Sequence, residues 1–169
     1  MQFFQGGWFF TVNRKIRVFV ADTDKNLLSD LCACLSANEG IEIAGTAKDG
    51  REVYQALLHT EVDLLLTEYL LPEMDGVTVV RQLQENGRKI GAIVMSSFFS
   101  EDLMYEINAL GINNLMRKPF DMNALLTRIL QWGLTRGAAE PAATNDAELM
   151  LEMRVTEVIH QVGVPAHIK

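Results

Sequence analysis

A doubly wound α/β domain built on five parallel strands is the fold class this sequence predicts, and three observations predict it. Short apolar runs alternate with amphipathic stretches from Ile16 onward. The runs are rich in Val, Ile or Leu instead of alternating apolar with polar, as strands buried on both faces require. Helix-starting residues such as Asp24, Asp49 and Asp121 follow the first, second and last of them.

The strands are expected at IRVFV (16–20), IEIAGTA (41–47), DLLLT (63–67), IGAIVMS (90–96) and INNLMR (112–117), the last being the least apolar. Asp24 caps a helix carrying Leu27, Leu28, Leu31 and Leu35, which ends near Asn38 and Gly40. Asp49 starts the helix with Val53, Tyr54, Leu57 and Leu58. Residues 76–86 place Val77, Val80 and Leu83 at helical spacing, and residues 101–110 repeat the theme. Asp121 caps the last helix of the domain, with Leu125, Leu126, Ile129 and Leu130.

After Trp132 the composition changes to LTRGAAEPAATND, which offers no periodic apolar face and reads as a linker over 134–146. The stretch AELMLEMRVTEVIHQVG then forms one amphipathic helix with Leu149, Met153, Val155, Val158 and Ile159 among its apolar positions. A lone helix has no core of its own, so 147–169 reads as the start of a further, helical domain. The organisation expected is an extension over 1–14, the α/β domain over 15–133, the linker, and that lone C-terminal helix.

Composition limits the function classes. The chain has 169 residues, is 49% hydrophobic and carries a net charge of -7, so it can bury one substantial core and should repel a phosphate backbone. Cys32 and Cys34, two apart on a helix, point in different directions and suit neither a disulfide nor a metal clamp; they read as reduced, cytoplasmic residues. The opening MQFFQGGWFFTVNRK lacks the parts of a signal peptide, and no apolar run reaches the roughly 18 residues of a membrane span. His160 and His167, with no cysteine nearby, read as solvated surface, and Met150 and Met153 as half of a core.

In doubly wound sheets, functional groups gather beyond the carboxyl ends of the strands. Asp22, Thr23 and Asp24 follow strand one; Thr67 and Glu68 end strand three; Ser96 and Ser97 end strand four; Lys118 and Pro119 follow strand five. Carboxylates, a hydroxyl and an ammonium from four strands are expected to converge.

Through VFVAD, LLPEMDG, AIVMSS and RKPF, residues 16 to about 132 resemble a response regulator receiver domain, whose fold is the flavodoxin-like form of this architecture. The resemblance implies a signalling domain, not an enzyme, that takes a phosphoryl group from a histidine kinase or phosphotransfer protein. It puts Glu68 at the phosphoacceptor position and assigns Ser96 and Lys118 to the phosphoryl oxygens. A divalent cation, Mg or Ca, would be held by Asp22, Glu68 and the carbonyl of Leu70, and Leu115 occupies the switch position. Dimers through helix four, strand five and helix five are a further implication.

Three residues depart from the family pattern: Glu68 stands where Asp is usual, Thr23 where a second acid is usual, and Leu115 where Tyr or Phe is usual. Glu is one methylene longer than Asp, and a misplacement of about 1 Å can slow a positioned reaction on the order of 100-fold. The expectation is an atypical receiver, not normally phosphorylated, whose Glu68 takes the place of a phosphoryl oxygen and pairs with Lys118 and Ser96. With Thr23 in place of an acid, cation binding is expected to be weak or absent. The alternative is that Asp22, Glu68 and Lys118 form only a structural ion-pair network.

VTEVIHQVGVPAHIK resembles the start of the DNA-binding effector domain of the stage zero sporulation protein A family. That implies control of sporulation-initiation transcription, with DNA binding only where the effector domain is complete; the recognition helix would lie beyond Lys169. Other readings remain. Asp22, Thr23 and Asp24 also resemble the Asp-x-Asp of haloacid-dehalogenase-type phosphatases, with Asp22 as nucleophile. A flavodoxin-like cofactor binder would need a phosphate cradle where DTDKN stands. A truncated dimerisation partner of a full-length regulator is the third.

Overall fold

The computed structural model describes residues 14–139, so most of the expected N-terminal extension, the end of the linker and the C-terminal helix lie outside the described residues. In chain order the elements are β1 (Ile16–Ala21), α1 (Lys25–Ser36), β2 (Ile41–Ala47), α2 (Gly50–His59), β3 (Leu64–Glu68), α3 (Gly76–Glu85), β4 (Gly91–Ser96), α4 (Glu101–Ala109), β5 (Asn114–Arg117) and α5 (Met122–Ala139). The strands form one parallel sheet in the order β2-β1-β3-β4-β5. This is the predicted flavodoxin-like class.

The local causes are those read from the sequence, with two caps added. Asp24 accepts from the amides of Asn26 and Leu27, Asp49 from Glu52 and Asp121 from Ala124. Asp75 and Ser100 do the same for Thr78 and Leu103, each answering amides that a first helical turn leaves unpaired. β3 is buried along its whole length, which is why its sequence shows no alternation. Leu31, Leu35, Val53, Leu57, Val77, Val80, Leu83, Leu103, Ile107, Leu125 and Ile129 are the buried faces of the helices.

The ends of β1, β3, β4, α3 and α4 differ from expectation by one residue, and two further boundaries differ by more. β5 begins at Asn114, not at Ile112, because the Ile112 amide donates to the carbonyl of Ile107 and closes α4, with Gly111 between them at φ 77°. α5 runs to Ala139, into the stretch read as a linker from 134. Gly137 weakens a helix by about 1 kcal/mol relative to Ala but does not end it, and Pro141 comes later. Arg136 adds support by lying 5.4 Å from the centre of the Trp132 ring one turn back. Among the described residues no helix is long and apolar enough to cross a membrane.

The chain passes from β1 out to β2 and then back across β1 to β3, so the switch point of the sheet lies between β1 and β3. Register then sets the site. Ala21 lies opposite Thr67, which puts Asp22 beside Glu68; Glu68 pairs with Met95 and Ser96 with Arg117, which brings Ser96 and Lys118 to the same end.

Candidate functional site

The carboxyl ends of β1, β3 and β5 bring three charged groups together. Asp22 is 1% exposed and Glu68 8%. The Lys118 ammonium stands between them, 2.7 Å from Oδ2 of Asp22 and 2.5 Å from Oε1 of Glu68. The remaining oxygens are also engaged: Oδ1 of Asp22 accepts from the Asp24 amide at 2.9 Å, and Oε2 of Glu68 from the Leu70 amide at 2.9 Å. Buried charge of this kind is tolerable only when each oxygen and each ammonium proton finds a partner. Burial pushes the Lys118 pKa down, but the hydrogen bonds and charges of Asp22 and Glu68 outweigh it and leave it above its ordinary value.

Ser96 reaches the same end of the sheet, 3% exposed, yet the bonds it makes are to its own loop. Its hydroxyl donates to the Phe98 carbonyl at 2.9 Å and accepts from the Phe98 amide at 3.2 Å. Of the two partners expected for Glu68, Lys118 is therefore bonded to it, while Ser96 is bonded to Phe98. Two cavities flank the pocket. One of about 350 Å³ is lined by Glu68, Leu70, Ser96 and Phe98 among others, and one of about 370 Å³ by Asp24, Leu27, Ser97, Lys118, Pro119 and Phe120. Leu70 and Phe98, both 68% exposed, stand at the rim of the first of these.

Thr23 is exposed and adds no charge. Asp24 is the cap of α1, so its carboxylate serves that helix, which weighs against the general-acid role of the phosphatase reading. Leu115 is half-buried against the core, and its carbonyl is held by the Arg128 guanidinium from α5.

For a divalent ion the arrangement is a poor fit. The carboxylates expected to hold it already share an ammonium, the Leu70 group that meets Glu68 is its N–H, and Thr23 supplies no anion. Among the described residues no group of three or more His, Cys, Asp or Glu comes together in a way that could hold a metal.

Several contributors were not read from the sequence: Phe98, whose backbone occupies Ser96; Thr67, whose hydroxyl donates to the Glu68 carbonyl at 2.9 Å; and Arg128. Thr67 was noted only as the neighbour of Glu68. The LLPEMDG loop was the signal available for the rest of the Glu68 surroundings, since it supplies the Leu70 amide.

An acid-rich pocket with one lysine at the switch point of a doubly wound parallel sheet defines a receiver-type signalling module. The sequence profile of the response regulator receiver domain matches residues 18–130, and the chain belongs to that family, as a two-component response regulator receiver domain. Solved structures share the fold. A CheY-like receiver domain protein from Methanospirillum hungatei JF-1 superposes with a TM-score of 0.68 at 20% identity, covering 75% of this chain and 98% of that one. The signal receiver domain of an HD domain-containing protein from Pseudomonas fluorescens Pf-5 matches at 0.66 and 25% identity, over 75% and 99%. A CheX–CheY complex with BeF3 and Mg from Borrelia burgdorferi matches at 0.61 and 24% identity, over 70% and 89%.

Proposed function

We propose that this receiver works without phosphorylation, with the carboxylate of Glu68 as a resident anion in the pocket. The observation that carries the reading is the contact of 2.5 Å between Oε1 of Glu68 and the Lys118 ammonium. In a receiver that lysine is the group assigned to a phosphoryl oxygen. The longer acid reaches it directly while its other oxygen is taken by the Leu70 amide. A nucleophile tied at both oxygens and one methylene too long is poorly placed for in-line attack on phosphorus. In the same reading a divalent cation is weakly held or absent, because it would have to displace Lys118 from two carboxylates.

The wider role follows from the family and from the C-terminal resemblance. The receiver would answer a histidine kinase or phosphotransfer protein, or compete for one, in the cytoplasm, and pair with a second receiver through α4, β5 and α5. Sporulation-initiation transcription is the output that GVPAHIK points to, with DNA contacted only through a complete effector domain; that segment is outside the described residues.

Intact-mass measurement after incubation with acetyl phosphate and Mg²⁺ tests the reading. The expected result is no added phosphate on the chain as it stands and partial uptake by Glu68→Asp. Stoichiometric acyl phosphate on Glu68 would overturn it.

A further inference from the structure

Gly76 opens α3 directly against the end of β3. Its φ is not positive, so backbone conformation does not demand a glycine there. Space does. A Cβ on Gly76 would stand 2.5 Å from the carbonyl oxygen of Glu68 and 2.9 Å from both Cγ2 and Oγ1 of Thr67. The threonine is buried, stiff at χ1 and bonded through its hydroxyl to that same carbonyl, and a backbone oxygen has no rotamer to change.

Relief therefore requires the first residue of α3 and the last residue of β3 to move apart. α3 is the better anchored of the two, because Val77, Val79, Val80 and Leu83 are buried and Asp75 caps the helix at the Thr78 amide. Glu68 is the terminal residue of its strand, so the displacement falls there. A shift of about 1 Å is enough to spoil a positioned contact, and both oxygens of the Glu68 carboxylate are committed at hydrogen-bond distance, to Lys118 and to the Leu70 amide.

We infer that Gly76 is a positioning residue for the carboxylate of Glu68: the space its missing side chain leaves lets β3 end where that carboxylate spans Lys118 and the Leu70 amide. The inference rests on the reading of Glu68 as the resident anion of the pocket. A second glycine, the first residue of α2 and packed against the loop that precedes Gly76, supplies the control. A Cβ on Gly50 would meet the carbonyl oxygen of Met74 at 1.6 Å, a worse collision, but on the α2 side of the loop and not at Glu68.

Competitive acetylation of the folded chain with acetic anhydride, read at Lys118 by mass spectrometry, is the test. In Gly76→Ala the ammonium loses its contact with Glu68 and Lys118 is labelled about tenfold faster, the order expected when one charge-assisted hydrogen bond that shields the amine is lost. Gly50→Ala lowers the unfolding midpoint at least as far and leaves Lys118 labelling at the parent rate. Should Gly76→Ala not fold, Thr67→Ala/Gly76→Ala keeps only the collision at the Glu68 carbonyl, and is compared with Thr67→Ala for the same tenfold rise. A folded Gly76→Ala chain labelled at the parent rate, or equal acceleration in Gly50→Ala, overturns the inference. Phosphate uptake on Glu68 is a separate readout, so loss of the resident-anion reading is told apart from loss of the role of Gly76.

Discussion

The loops that follow β3 and β4 meet at one pocket but are held in different ways. Residues 69–75 are tied on several sides: the Tyr69 amide donates to the Met95 carbonyl, the amides of Leu71 and Gly76 both donate to the Tyr69 carbonyl, and those of Gly50 and Met74 both donate to the Pro72 carbonyl. That frame even keeps Glu73 at φ 70°, a conformation that L side chains adopt at some energetic cost. Residues 97–100 have less support. Ser96 bonds the Phe98 backbone through its hydroxyl, Ser100 caps α4, and Ser97 and Phe98 are exposed. The contrast teaches that the loop after Glu68 is tied mainly by backbone hydrogen bonds, whereas the loop after Ser96 is tied mainly through serine hydroxyls.

The largest way to break this comparison is Lys118→Met. It leaves Asp22 and Glu68 buried without their shared cation, and removing one partner of such a group destabilises by about 3–5 kcal/mol. Urea unfolding measures the loss, and hydrogen exchange should show Leu70 less protected while Leu71 and Gly76 keep their rank. A loss below about 1 kcal/mol would mean that water screens the cluster as it does at the surface.

Alkaline pH sharpens the same point with a smaller effect. Because the folded-state pKa of Lys118 is raised, its contribution is fully present below the unfolded value of about 10.4 and is lost as pH rises through the folded value. The urea midpoint should therefore fall above about pH 10, and the fall should be shallower in Glu68→Gln. An identical slope in both chains would dissociate Lys118 from Glu68.

Ser96→Ala is expected to do least, about 1 kcal/mol for the lost bonds to Phe98. Amide exchange should quicken at Phe98 and not at Leu70. Equal quickening at both amides would show that the two loops move as one.

Much of this fold was legible because each apolar run was bounded by a residue with one clear job. Asp24, Asp49 and Asp121 all cap the helices assigned to them. The convergence of Asp22, Glu68 and Lys118 was legible for a geometric reason, since parallel strands of similar length end at one side of the sheet. The hydroxyl of Ser96 was not. A serine has several rotamers of similar energy, and the one adopted depends on where the Phe98 backbone turns, which no pattern in SSFFS records. The end of α5 was missed for a related reason: small residues and one glycine are compatible with a helix as well as with a linker, and composition alone does not decide between them.

The Arg128 guanidinium on the Leu115 carbonyl has a consequence for how these molecules behave in a crowd. β5 is the outermost strand on its side, and an outermost strand offers unpaired backbone groups onto which another chain can add. With that carbonyl already taken, β5 is a poor template for such growth. At the opposite margin, β2 is paired irregularly with β1 between Val18 and Phe19 and carries the exposed charge of Glu42, so it presents no straight, apolar border either. Strand-by-strand aggregation is thereby discouraged from both flanks of the sheet.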